Sequence, residues 1–533
     1  MPINKLIHPN QLHPSIPENS NQNNKRIAKN TAMLFFRMFT IMAVSLYTSR
    51  IVLDLLGIAD YGVYNIVGGI VALSSFITNS MSNGVLRFIT YALGEGNHDK
   101  LRKTFGMCIN LQLVIAIALF LLLETIGLWF LNTQLNIPQD RMNAANWVYQ
   151  FSILTILLNI TSTPYSAAVI AYEKMSVFAY VSIIEVILKL GLVFLLTASP
   201  MDSLQLYAIL MFVSSLIIRS IYQLYCRYNI KGCRYYYFWD LNMFKAILSF
   251  SGWNMLGGMS IVFGNHGVNI LLNIFFGVVV NAAKGVSMQV QAIVFNFHNN
   301  ILTALRPSII KAYAQGNYEY MRDLTYRGAK YSFLMLLLVS FPMILETEQI
   351  LSLWLKEIPK YSALFTRLLL IVSLIDCLSG TIMIVSQATG NLKRYQLTVT
   401  TVLILQLPIS YIFLKLGFVP ESVFYINIVI SSIVLFVRIH LVHLLVKEIT
   451  VIDFLRTTFI PISNVLITGA IIPIGLYLYL DRNVSSSIII MLSSIFSVLF
   501  STFFLGINTK ERNIVKYYVL HLMNHSKNKS KNY

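Results

Sequence analysis

A chain of 533 residues with 56% hydrophobic and only 12% charged residues cannot cover a water-facing surface, since soluble domains carry roughly 25% charge. Its mean hydropathy is +0.67, and its apolar runs reach the ~20 residues that a helix needs to cross a bilayer. A soluble enzyme is excluded, and the +18 net charge has to be read against a membrane.

Residues 1–30 are polar and lack the apolar run of a signal peptide. Beyond them, apolar stretches broken by charge, Pro or Gly predict spans near 32–56, 61–90, 105–131, 144–171, 176–198 and 203–226. A polar gap follows, then spans near 250–276, 280–310, 328–350, 362–388, 395–416, 422–446, 457–480 and 484–506. This is an all-α membrane protein of about 14 transmembrane helices. Cys108, Cys226, Cys233 and Cys377 form no CxxC pattern and read as reduced packing thiols.

Lys and Arg set the orientation. With the N-terminus inside, 26 basic residues fall on inner segments, and only Arg141, Lys356, Lys360 and Arg482, 4 in all, on outer ones. Both termini are predicted to be cytoplasmic, and the net charge needs no nucleic-acid partner.

The chain resembles itself at a shift near 220 residues: Ala92, Gly96, Asn97 and Arg102 answer Ala312, Gly316, Asn317 and Arg322. Leu123-Glu124-Thr125 likewise answers Leu345-Glu346-Thr347. Six spans separate the copies, which makes them parallel repeats. The expected organisation is a polar N-terminus (1–30), an N-lobe (31–226), a cytoplasmic connector (227–245), a C-lobe (246–446), a terminal helix pair (447–506) and a basic tail (507–533). Two six-helix lobes would flank a central cavity. The connector interleaves basic and aromatic residues as an interfacial segment does, and residues 511–524 read as an in-plane helix.

A charge at the bilayer centre costs at least about 2.5–3.5 kcal/mol, so intramembrane charges tend to face a cavity or a partner. Arg37, His266, Lys284 and Arg367 have no acid at helical spacing. With Arg50 and Arg87 they are the candidates for substrate binding. Asp54, Glu124, Glu185 and Asp376 are the candidates for ion coupling. Arg50–Asp54 and Glu185–Lys189, each four residues apart, read equally as local ion pairs, and Arg87 as a snorkelling side chain. A lone histidine such as His266 is more often a packing residue than a functional one. Clustered glycines in span seven, among them Gly257, Gly258 and Gly267, suit close packing or a gating bend.

No GxxxxGK[ST] loop is present, and His440 and His443 lack the glutamate of HExxH. Nothing in the residues calls for catalysis, a metal or a cofactor.

Residues 24–76, with the span ending SRIVLDLLG and the following D-Y-G-V-Y-N-I-V-G-G, resemble the start of bacterial polysaccharide-export flippases. AYEKMSVFAYVSIIEVILKLG (171–191) and QATGNLKRYQ (387–396) are similar to the same family, a branch of the multidrug/oligosaccharidyl-lipid/polysaccharide exporters. The resemblance implies a transporter that moves a polyprenyl-diphosphate-linked oligosaccharide from the cytoplasmic to the periplasmic leaflet of the inner membrane. It also implies working beside membrane lipids, glycosyltransferases and a polysaccharide polymerase. The alternative is a Na⁺- or H⁺-coupled multidrug exporter, for which organic cations would want acids in the spans. A membrane-bound polymerase would need longer outer loops than 132–143 and 351–361.

Overall fold

The computed structural model describes residues 20–72, 75–134, 139–197, 200–276, 278–355, 358–481, 483–508 and 511–513. Among them every regular element is helical. The helices are α1 (Ser20–Ala72), α2 (Ser75–Gly94), α3 (His98–Thr133), α4 (Gln139–Ala171), α5 (Met175–Leu196) and α6 (Ser203–Asn229). They continue as α7 (Leu241–Phe276), α8 (Val278–Ala314), α9 (Tyr318–Leu345), α10 (Thr347–Trp354) and α11 (Ser362–Thr389). The last four are α12 (Lys393–Lys415), α13 (Ser422–His443), α14 (Val451–Tyr479) and α15 (Val484–Gly506).

Among the described residues 10 of these, α3 to α6, α9 and α11 to α15, are long and apolar enough to cross a membrane. The spans expected near 32–56, 61–90, 250–276 and 280–310 fall on α1, α2, α7 and α8, parts of which lie outside the described residues. One boundary differs. The break expected at 57–60 is absent, and α1 runs on as a single helix of 53 residues. Gly57 costs a helix only about 1 kcal/mol relative to alanine, and no proline is there to break it.

The internal repeat has a structural counterpart. Gly96 and Gly316 end α2 and α8 with φ of 72° and 70°, the left-handed cap that glycine adopts without a Cβ penalty. Each is followed by an asparagine that starts the next helix. Asn97 Oδ1 accepts from Lys100 N at 3.0 Å and Asn317 Oδ1 from Tyr320 N at 3.2 Å. Such an N-cap is worth about 1 kcal/mol. The sequence match at these loops is therefore a match of turn chemistry.

The helices group into two compact units. One holds the residues up to Val262 with Asn300–Met321 and Ile384–Thr400. The other holds Phe263–Asn299, Arg322–Met383 and the residues from Thr401 onward. In the first unit α1 packs on α5, and α4 packs on α2, α3 and α6. Val85, Ile89, Phe105, Leu111, Ala168 and Cys226 form its main core. In the second unit Leu272, Phe365, Leu369 and Phe424 form a core, and α14 lies along α15. Large apolar side chains such as Ile471, Ile472, Phe496 and Phe500 are exposed on that pair. Water would not tolerate so broad a patch, whereas lipid does. Hydroxyls join helices instead: Ser287 Oγ donates to Ser362 O at 3.1 Å, and Gln291 Nε2 to Ser373 Oγ at 3.0 Å. Polar bonds of this kind hold transmembrane helices where no hydrophobic force does.

The connector lies against α3. Asn110 Nδ2 donates to Phe238 O at 2.9 Å, and Tyr235 OH donates to Asn110 Oδ1 at 3.0 Å. Gly106 leaves room for the backbone of Tyr236, which a Cβ would strike. The four cysteines are buried thiols. The in-plane helix expected over 511–524 lies, beyond its first turn, outside the described residues.

Candidate functional site

Within the first unit, α1, α5 and α6 line a partly open cavity of about 400 Å³. Arg37, Ile41, Ser45, Thr48 and Val52 line it from α1, and Ser182, Glu185, Val186 and Lys189 from α5. Both sets recur at three- and four-residue steps, so each is one face of its helix. Tyr64 and Tyr207 complete the wall, their rings edge to face at 4.8 Å.

The charges here are unequal. Lys189 Nζ sits 2.6 Å from Glu185 Oε1, the pair expected from their spacing. Arg37 adds a second cation, stacked 4.6 Å over the Phe178 ring. Its Nε is buried and has no hydrogen-bond partner among the described residues. Among the described residues two bases and one acid leave the lining with one net positive charge. One substrate candidate and one coupling candidate thus share a cavity, although 148 positions apart by their numbers, 37 and 185.

The other candidates lie elsewhere. Arg87 does not snorkel. It is 8% exposed, its guanidinium lies 4.6 Å and 5.0 Å from the Phe88 and Tyr91 rings, and Nη2 donates to Ala388 O at 3.2 Å. Gly390, at φ 77°, leaves the space that Arg87 fills; a Cβ there would overlap Nη2. Packing against aromatic rings and a carbonyl outweighed the pull of the membrane edge. Arg306 likewise bonds to Asn83 Oδ1.

In the second unit Lys284 is buried at 2% exposure. Arg367 has a partner that helical spacing does not reveal: Nη2 lies 3.4 Å from Glu348 Oε1, and Nε donates to Ile344 O at 3.0 Å. The chain turn at α10 brings Glu348 back. Asp376 accepts from Ser431 and faces Arg438. Glu124, in the first unit, lies in a wide i→i+5 turn of α3 spanning Leu123–Gly127 and accepts from Gln150 Nε2 at 3.2 Å. In that turn the Leu123 carbonyl accepts both from Leu128 N and from Tyr149 OH, the latter at 2.7 Å, and Gly127 leaves room for the hydroxyl. The side chains of Arg50, Asp54 and His266 lie outside the described residues. Of the span-seven glycines, Gly257 abuts the Gln396 amide and Gly267 abuts Leu407, so both serve close packing.

Three charged groups escape sequence reasoning. Glu173, between α4 and α5, is 1% exposed in its side chain and paired with Arg26 at 2.8 Å and Lys311 at 2.9 Å. An acid next to Lys174 in the short inner turn between two apolar spans is the signal that could have marked it. Glu346 is buried and accepts from Ser487 Oγ at 2.7 Å; its match to Glu124 in the repeat was the available clue. Arg141 binds both Asp60 and Asp202.

The sequence matches the MatE family model over residues 34–195 and 255–412. The two segments begin at 34 and 255, a separation of the size of the internal repeat. No curated protein matches the sequence. Solved structures share the fold at low identity. An outward-facing multidrug resistance MATE family transporter of the MOP superfamily superposes with TM-score 0.67 and 14% identity, over 82% of this chain and 100% of its own. The MATE transporter ClbM in complex with Rb⁺ gives 0.68 and 16%, over 79% and 96%. A MOP superfamily transporter from Pyrococcus furiosus, described by a reverse polarity of its binding pocket that suggests a different function, gives 0.64 and 13%, over 82% and 99%. With the family model covering more than half of its residues, this multi-pass chain belongs to the MatE family and is a transporter, not an enzyme.

Proposed function

We propose that this transporter flips a polyprenyl-diphosphate-linked oligosaccharide from the cytoplasmic to the periplasmic leaflet of the bacterial inner membrane by alternating access. The observation that carries the reading is the cavity lined by Arg37 and Lys189 with, among the described residues, a single carboxylate, Glu185. A diphosphate in a low-dielectric site needs counter-charge, and guanidinium and ammonium groups supply it by charge-assisted hydrogen bonds. An organic cation would meet a net positive wall. The resemblance of residues 24–76, 171–191 and 387–396 to polysaccharide-export flippases supports the same cargo. Glycosyltransferases would then build the cargo and a polymerase would consume it, with both termini of the transporter cytoplasmic.

Multidrug export is the second reading, favoured by a structural neighbour that is described as a multidrug resistance transporter. Pocket polarity is the criterion between the two, as the description of the Pyrococcus furiosus protein suggests for that transporter.

The test is complementation of cells lacking the gene, with surface polysaccharide and dye efflux measured together. Wild type restores polymer. Arg37→Ala at matched membrane abundance lowers it about tenfold or more, as loss of a charge-assisted contact of roughly 1.5–3 kcal/mol requires. Arg37→Lys is milder, because it keeps the charge and loses only the planar fork. Restored dye efflux with no effect on polymer would hand the assignment to the multidrug reading.

A further inference from the structure

Arg37 and Lys189 line one cavity of about 400 Å³, large enough for a diphosphate, and among the described residues the one carboxylate on that wall is Glu185. Glu185 holds Lys189 at 2.6 Å, while Arg37 Nε is buried with no hydrogen-bond partner among the described residues. From α6, Tyr207 reaches the cavity and Tyr222 lies in the field of Arg37; Tyr64 faces it from α1. None of these phenols carries charge near neutrality. Among the described residues the charge of the site is therefore set by Arg37, Glu185 and Lys189.

We infer that the cargo's diphosphate and the ionised Glu185 carboxylate are alternative partners for Lys189 and Arg37, so that seating the diphosphate makes Glu185 take up a proton. This deepens the flippase reading and rests on it. On arrival of the diphosphate, Lys189 Nζ leaves Glu185 Oε1 for a phosphate oxygen, and Arg37 Nε donates to another. Two negative charges then lie side by side, and like charges so close favour protonation of one of them. The proton comes from the buffered bulk solution and is held on a Glu185 oxygen. No covalent bond forms or breaks in the cargo. The two cations then match two charges on the diphosphate, and the loaded site is neutral, the state that crosses lipid at least cost. Empty, it returns to the Lys189–Glu185 pair with one net positive charge.

The experiment is calorimetric titration of the purified full-length protein in detergent, in two buffers of different ionisation enthalpy. The probes are inorganic diphosphate and farnesyl diphosphate. Near neutral pH the wild type takes up about one proton per diphosphate bound beyond that due to the ligand itself. Glu185→Gln binds at least as tightly and loses that proton. The infrared difference spectrum of the wild type, which needs no variant to fold, shows a carboxylate lost and a carboxylic acid gained on binding. Binding of both probes with equal proton uptake in wild type and Glu185→Gln overturns the exchange and leaves the flippase reading standing. Glu185-dependent uptake with inorganic diphosphate and no preference for the prenyl form supports the exchange and overturns the lipid-linked cargo. Binding of neither probe overturns both.

Discussion

Lys311 Nζ lies 2.9 Å from Glu173 Oε1, where α8 meets the turn between α4 and α5 in the first unit. Glu173 sits at φ 57°, a left-handed conformation that a non-glycine residue adopts at a cost of about 1–3 kcal/mol. Its neighbours offset that cost. Arg26 reaches the other carboxylate oxygen at 2.8 Å, and Asn30 Nδ2 donates to the Glu173 carbonyl at 3.3 Å. Glu173 thus ties α1, the α4–α5 turn and the end of α8 at one point.

The first prediction tests that point. Glu173→Gln leaves Lys311 and Arg26 without their counter-ion and should destabilise the detergent-solubilised protein by about 1–3 kcal/mol, read as a lowered Tm. Glu173→Lys combined with Lys311→Glu should recover part of the loss. An unchanged Tm for Glu173→Gln would reduce the pair to an incidental contact.

The second concerns acid. Burial pushes Asp202 upward, but the backbone N–H groups of Gln205 and Leu204 and the Arg141 guanidinium outweigh it and hold the carboxyl below its usual range. Glu511 behaves alike: burial raises it, and donation from Asn508 N, Tyr331 and Lys330 brings it below the usual range. A carboxyl depressed in the folded state contributes stability above its unfolded value, and that contribution fades as pH falls through the folded one. Stability should therefore drop below about pH 4, the ordinary carboxylate range. Arg141→Ala should be less stable at neutral pH and show a shallower acid limb in thermal scans.

The third separates packing from transport at Arg87. Gly390→Ala should lower stability by a few kcal/mol, because the new Cβ meets both a left-handed backbone and the Arg87 guanidinium. Arg87→Lys should behave similarly, since an ammonium does not reproduce the planar stack on Phe88 and Tyr91. Normal Tm for both, with transport lost, would return Arg87 to the substrate path.

The fourth is topological. Reporters fused after Lys103, Lys245, Lys330 and Tyr533 should read cytoplasmic, and fusions near Asn136 or Asn483 periplasmic, from the split of 26 inner to 4 outer basic residues. A periplasmic signal after Lys245 would break the assignment.

The sequence by itself determined the class of the molecule, because a bilayer imposes its demands on every residue of a span and so writes them into composition and run length. It also determined local turn chemistry: Gly96-Asn97 and Gly316-Asn317 are legible since cap and N-cap act within a few residues. The Glu185–Lys189 pair was legible for the same reason, four residues being one helical turn. Only the tertiary structure decided which charges meet. Arg37 joins Glu185 because α1 packs on α5, Arg367 meets Glu348 because the chain turns back at α10, and Glu173 is buried by two cations from distant helices. Charges in lipid are satisfied by whichever neighbour packing supplies, and packing between helices follows shape complementarity that no local spacing encodes.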